Sequence, residues 1–190
     1  MKSIQDDIAE ACEVLNRGGV ILYPTDTIWG IGCDATNPSA VKRVYEIKRR
    51  ADNKALIVLT DSMTKVDFYV DEVPEIAYDL VDLSDKPLTI IYSGARNLAP
   101  ELLGENGSVG IRVTQEPFSQ ALCRRFRKAI VSTSANVSGE PSPATFADIS
   151  DEIKQAVDYI VEARRDENTP AKASGIIQLD KGGLVKIIRQ

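Results

Sequence analysis

No histidine occurs anywhere in the 190-residue sequence. That absence excludes Ser-His-Asp and Cys-His catalysis, HExxH zinc hydrolysis and every histidine-ligated metal site. An enzyme built from this chain has to work with carboxylates, hydroxyls, lysine, arginine, backbone dipoles or a borrowed cation. Cysteine is scarce: Cys12, Cys33 and Cys123 stand far apart with no CxxC, a pattern of reduced thiols rather than a disulfide frame or zinc site. No apolar run approaches the roughly 18 to 20 residues of a membrane span, and Met1-Lys2-Ser3-Ile4-Gln5-Asp6-Asp7 has no apolar signal region. A cytoplasmic protein is expected. No Gly/Ser- or Pro-rich linker, repeat or low-complexity tract divides the chain, so one domain over residues 1–190 is the default. Aromatics are few, at 6%, and the net charge is −5. Both weigh against a general nucleic-acid coat, although the cations are clustered.

What is present is a chain 43% hydrophobic, enough for one substantial core. Ser3, with Asp6 at the capping-box position, opens a helix to about Arg17 that Gly18-Gly19 stop. Asn37-Pro38 opens a second, whose Val41, Val44, Tyr45 and Lys48 share a face and whose end delivers Lys48–Arg50. Further helices are predicted over 74–83, over 118–128 with four basic residues near its end, and from a Thr145 cap to about Val157. Strands are predicted over 20–23, 55–60, 87–92, 108–113, 129–132, 158–161, 174–179 and 184–188. They interleave with the helices, yet several connections are too short for βαβ crossovers. The fold class is therefore α/β: a twisted mixed sheet, largely antiparallel with parallel parts and flanking helices.

Two stretches carry the chemistry. Pro24-Thr25-Asp26-Thr27-Ile28-Trp29-Gly30-Ile31-Gly32 follows the apolar run Val20–Tyr23. Ser132-Thr133-Ser134-Ala135-Asn136-Val137-Ser138-Gly139 follows Ala129-Ile130-Val131. Each reads as a strand entering a loop crowded with hydroxyls and glycines, where α/β proteins place ligands. The first is neither a Walker A motif nor a complete GxGxxG. It reads equally as a tight connection in which Asp26 and the threonines satisfy their own backbone. The second offers more polar groups than a helix cap needs, though an Asx turn is the plainer reading. Lys48, Arg50 and Lys54 form a cationic cluster that suits phosphate, or a solvated helix end. Arg112, within the strand pattern Val109-Gly110-Ile111-Arg112-Val113, needs an anion, and a substrate carboxylate would serve it bidentately. The carboxylate runs at 71–72 and 148–152 read as exposed faces.

Taken in order, these segments resemble the YrdC/TsaC family of threonylcarbamoyl-AMP synthases. The resemblance rests on the PTDT-x-[YW]-G-x-G loop, Lys48-x-Arg50, the Gly110-Ile111-Arg112 strand, STSAN-x-SG, Pro141-Ser142-Pro143, Ser174-Gly175-Ile176 and the terminal Ile187-Ile188-Arg189. It implies a sheet around a positively lined concavity, and a nucleotidyltransferase that converts L-threonine, bicarbonate (or CO2) and ATP to threonylcarbamoyl-AMP and pyrophosphate. A separate threonylcarbamoyl-transferase complex would place that group on tRNAs reading ANN codons. Position by position, the resemblance gives Thr27, Arg112, Ser132 and Ser174 to threonine. It gives Arg50, Lys54, Ser108, Ser134, Asn136, Ser142 and Arg189 to the nucleotide. Lys48, Arg50, Ser134 and Asn136 form the implied catalytic set, with Lys48 adding charge near the phosphates. Mg2+ is implied with ATP, touching Ser134 and Asn136 without a firm direct ligand. The chain departs from the family pattern at Trp29, at Ala51 and Ala55 in place of prolines, and at Leu59 in place of a threonine-contacting histidine. Its end at Gln190 is that of the short, single-domain form. Residues 139–145 suit a hinged lid. The competing readings are a diverged paralogue and an RNA-binding or ribosome-maturation factor using the same concavity. A carbamoyl-phosphate domain of the hydrogenase-maturation type lacks support without zinc-finger cysteines.

Overall fold

The computed structural model describes residues 2–50, 55–168 and 173–190. Nine strands form one mixed sheet: β1 (Ile21–Tyr23), β2 (Gly30–Gly32), β3 (Ile57–Thr60), β4 (Leu88–Tyr92), β5 (Val109–Val113), β6 (Ile130–Ser134), β7 (Tyr159–Ile160), β8 (Gly175–Leu179) and β9 (Val185–Arg189). Their order is β7-β1-β2-β6-β3-β5-β4-β8-β9. Pairing is parallel at β1/β7, β3/β5 and β4/β8 and antiparallel elsewhere. The mixed α/β class read from the sequence is the one observed.

The helices are α1 (Ile4–Asn16), α2 (Pro38–Lys48), α3 (Met63–Tyr69), α4 (Ile76–Asp82), α5 (Pro117–Phe126) and α6 (Asp151–Ala156). The Ser3 hydroxyl caps α1 by accepting from the Asp6 N–H at 3.1 Å, and the Asn37 amide oxygen caps α2. Both caps follow from the short polar side chain bonding an otherwise orphaned N–H. As expected, Val41, Val44, Tyr45 and Lys48 all point inward. Helix α1 buries Ile8, Ala11, Val14 and Leu15. Among the described residues, no helix is long and apolar enough to cross a membrane.

Three local expectations differ from the structure. Thr145 caps no helix: its N–H and hydroxyl both donate to Asp148 Oδ2, at 2.9 and 2.8 Å, closing a turn. Side chain–backbone bonding there competes with helix formation, and α6 starts later, capped by Ser150. Helix α3, capped by Ser62, was not predicted. Residues 30–32, read as loop, pair with both β1 and β6. Gly32 permits this close approach, since a Cβ there would stand 2.8 Å from the Val131 carbonyl oxygen and 2.6 Å from the Tyr23 ring.

Register decides which residues share a face. Directly paired residues and residues two apart lie on the same side of a sheet. The pairs Gly30↔Ser134, Ile57↔Ser132, Ile57↔Gly110, Leu59↔Arg112, Thr89↔Ile176 and Ile176↔Arg189 therefore define one face. The alternate residues Val131, Val58, Ile111, Ile90 and Ile177 define the other and belong to the apolar core. The first, polar face mixes serine, threonine, glycine and arginine with Ile57, Leu59 and Ile176, where its opposite carries branched aliphatics.

Candidate functional site

On the polar face lies a cavity of about 280 Å3, lined from β2, β3, β5, β6, β8 and β9. It brings together Thr27, Arg50, Arg112, Ser132, Ser134, Ser142, Ser174 and Arg189. All four residues implied for threonine are among them, together with most of those implied for the nucleotide. Lys54 and Ala51 lie outside the described residues.

The Pro24–Thr27 loop is held from both sides. The Ser119 hydroxyl donates to the Pro24 carbonyl at 2.7 Å, and Arg164 Nη1 donates to the Thr25 carbonyl at 3.0 Å. Within the loop, Thr25 Oγ1 accepts from the Thr27 N–H at 3.0 Å and donates to the Ile28 carbonyl at 2.8 Å. Part of the plainer reading therefore holds: Thr25 satisfies local backbone. Asp26 does not. Its Oδ1 lies 2.8 Å from Arg112 Nε, out of line for a hydrogen bond, as a close ion pair.

Arg112 is 2% exposed. Burial pulls its pKa below the usual arginine value, and the Asp26 carboxylate partly offsets that pull. The anion that a strand arginine requires thus comes first from the protein. The opposite edge of the guanidinium makes only long contacts, Nη2 to Thr27 Oγ1 at 3.3 Å and Nη1 to Thr89 Oγ1 at 3.5 Å. That edge remains available for a carboxylate. Thr89, which the sequence did not single out, links Arg112 to Ser174 through a 2.9 Å hydroxyl contact. Its only sequence signal is a threonine inside an otherwise apolar strand.

At the other end, Arg50 Nη2 donates to the Ala55 carbonyl at 2.8 Å and Arg189 Nε donates to the Ser174 carbonyl at 2.9 Å. Burial lowers the Arg50 pKa. Arg50 Nε is buried without a hydrogen-bond partner among the described residues.

Three nominated residues do not line the cavity. Lys48 is 1% exposed, and its ammonium donates to the carbonyls of Ser134 and Asn136 at 2.5 and 2.7 Å. It braces the turn after β6. Burial, with repulsion from Arg50 second, pushes its pKa down to about 8. Asn136 donates its amide N–H groups to the carbonyls of Val137 and Glu140 at 2.9 and 2.8 Å, leaving its Oδ1 buried without a partner among the described residues. Ser108 ends a short 3-10 turn, where its carbonyl accepts from the Gly104 N–H at 2.8 Å. Leu59 is buried in β3 and does not line the cavity.

Comparison with known proteins bears on the family and the fold. The Sua5/YciO/YrdC family model, described as telomere recombination, matches residues 13–190. The chain is 35% identical over 170 residues to the threonylcarbamoyl-AMP synthase of Pseudoalteromonas translucida, covering 88% of this chain and 91% of that one. It is 31% identical over 165 residues to the protein of that name from Photobacterium profundum, covering 83% and 86%. E. coli YciO superposes with a TM-score of 0.84 at 23% identity, covering all of this chain and 91% of that one. P. abyssi Sua5 complexed with L-threonine superposes at 0.82 and 23% identity over 94% of this chain, which spans 52% of that longer protein. These two structures bear on the fold.

Proposed function

Because the chain belongs to the Sua5/YciO/YrdC family, we infer that it is an L-threonylcarbamoyladenylate synthase, a nucleotidyltransferase acting on L-threonine, bicarbonate and ATP. The observation that carries this reading is one cavity holding Arg112, whose Nη edge makes only long contacts, with Arg50, Arg189 and a cluster of hydroxyls. A zwitterionic amino acid and a polyphosphate need those groups side by side.

The chemistry follows without histidine. Arg112 pairs with the threonine carboxylate, and Thr27, Ser132 and Ser174 orient the rest of the amino acid. Its ammonium loses a proton, the amine adds to CO2, and a second proton leaves to give a carbamate. Bicarbonate yields that CO2 with loss of hydroxide, which takes one of the protons as water and leaves the other to solvent. A carbamate oxygen then attacks the α-phosphorus of ATP, forming the P–O bond while the bond to pyrophosphate breaks. Negative charge grows on the phosphoryl and leaving oxygens. Arg50, Arg189, Ser134 and Ser142 would stabilise it, with Lys48 bracing the turn that begins at Ser134; the roles of Ser108 and Lys54 toward the nucleotide rest on the family resemblance alone. Positioning and fixed cations suffice for such a displacement. Mg2+ bound with ATP would neutralise phosphate charge. The orphaned Asn136 Oδ1 and the Ser134 hydroxyl are neutral oxygen donors of the kind a phosphate-bound Mg2+ takes.

The product supplies a threonylcarbamoyl-transferase that modifies tRNA. Three free, buried cysteines suit a reducing compartment such as the cytoplasm. The test is pyrophosphate release from ATP and Mg2+, with and without L-threonine and bicarbonate. Release that needs both is expected. RNA binding steeply weakened by salt, without turnover, would replace this reading with that of an RNA-binding factor.

A further inference from the structure

Three guanidinium groups line the cavity, and their environments differ. Arg112 has a carboxylate partner, Asp26, at 2.8 Å. Arg50 and Arg189 are tied only to backbone carbonyls, and among the described residues neither forms an ion pair. Among the described residues the cavity is therefore polarised: one end presents a guanidinium neutralised in place, and the other presents two without a counter-charge. Asp26 itself does not line the cavity. It reaches Arg112 from behind and faces a separate cleft of about 150 Å3 beside Ser84, Lys86 and Gln115.

We propose that Asp26 determines which ligand each end of the cavity accepts, by cancelling the charge of Arg112 while leaving its Nη edge, held only by long contacts to two threonine hydroxyls, facing the ligand. A neutral ion pair gives little attraction to a polyanion, yet its Nη edge still offers two N–H donors to a carboxylate whose own ammonium balances the charge. Uncompensated guanidinium groups attract phosphate most strongly. Polyphosphate is thereby directed to Arg50 and Arg189, and the zwitterion to Arg112. Without Asp26, Arg112 is a buried, uncompensated cation, and such a charge takes whatever anion is available. Phosphate in that position would occupy the amino-acid end. This inference rests on the synthase reading for the identity of the zwitterion, but not for the sorting itself. Asp26 is a positioning and specificity residue acting through Arg112.

The experiment is calorimetric titration of the full chain with inorganic pyrophosphate, then with L-threonine as competitor, on wild type, Asp26→Asn, Arg112→Gln and the double variant Asp26→Asn/Arg112→Met. Asp26→Asn keeps the shape and removes the charge. In wild type, pyrophosphate binds at a site from which threonine does not displace it. Asp26→Asn gains a second pyrophosphate site at least about tenfold tighter than any residual wild-type affinity there, the scale of one charge removed at short range, and threonine displaces it. The double variant loses the second site. No added site in folded Asp26→Asn, or an added site that persists in the double variant, overturns the proposal. Should Asp26→Asn not fold, Asp26→Ser decides in its place, a second pyrophosphate site supporting the sorting and none refuting it, with Arg112→Gln expected to show no second site. Failure of wild type to bind threonine sinks the synthase reading. The pyrophosphate stoichiometry is read without threonine and judges the sorting separately.

Discussion

Lys48 and Ser138 tie the end of α2 to the turn that follows β6. The Ser138 N–H donates to the Lys48 carbonyl at 2.8 Å, while the Lys48 ammonium bonds the carbonyls of Ser134 and Asn136. The end of α2 and the serine-rich turn form one unit. Removing the ammonium orphans two carbonyls and loosens the phosphate-side wall. Lys48→Met is expected to lower turnover at least roughly tenfold while L-threonine binding stays within about twofold. Pyrophosphate release and calorimetry, run together, check this.

The same lysine predicts a pH dependence of stability. Its folded pKa, about 8, lies below the ordinary 10.5. As pH rises through this window the native state releases the proton before the unfolded state does. The unfolded state then holds more protons, so unfolding becomes harder. Below about 8 both states are protonated and the contribution is flat. Denaturant midpoints at pH 7.5 and 9.5 should show a stabilising contribution in wild type that Lys48→Met lacks.

Arg112→Lys keeps the charge and loses the planar fork. The KM for L-threonine should rise about tenfold or more, with the KM for ATP little changed. Arg50→Ala should do the opposite, lowering the rate on the order of a hundredfold and sparing threonine binding. Equal effects of both variants on both substrates would contradict the two-ended cavity.

Gly32→Ala places a methyl group against a carbonyl that cannot move without breaking the sheet. A loss of about 2 kcal/mol is expected from such overpacking, a fall in Tm of roughly 4–8 °C. Gly139→Ala, at φ +92° with open space around it, carries only backbone strain and should cost less. Thermal unfolding of the two variants tests the contrast.

Residues 139–145 carry Ser142 to the cavity wall, and just beyond them Phe146 packs against Trp29 with ring centroids 4.8 Å apart. Lys154 and Arg165 lie over the same Phe146 ring. With its far end fixed in this way, a segment containing Gly139 can hinge. ATP with threonine should protect it from limited proteolysis, and unchanged cleavage would argue against closure.

Much of this site was legible in the sequence because its residues sit at alternate positions of strands. Gly110 and Arg112 share a face of a strand whose bounds the sequence marks to within one residue, whereas the strand carrying Ser132 is expected to end there and in fact runs on through Ser134, which shares its face. The caps at Ser3 and Asn37 were legible because the bond is local. Asp26 was misjudged because its partner lies 86 positions away and only the fold unites them. Lys48 was nominated as a cavity cation since sequence shows charge but not direction, and two backbone carbonyls proved nearer. Strand β2 was hidden by its glycines, which depress strand propensity while allowing the tight packing that creates the strand.

The place of β6 in the sheet has a kinetic consequence. It is hydrogen-bonded on one side to β2 and on the other to β3, so Ser132 and Ser134 stand on a strand that cannot peel away alone. Arg189 ends β9, an edge strand with all five residues exposed and one row of backbone groups unpaired. Amide exchange should therefore be slow at 130–132 and fast across 185–189. The cavity floor is therefore its most protected wall and the β9 edge its least protected, so on the proposed reading a nucleotide would enter over β9, where Arg189 meets the Ser174 carbonyl.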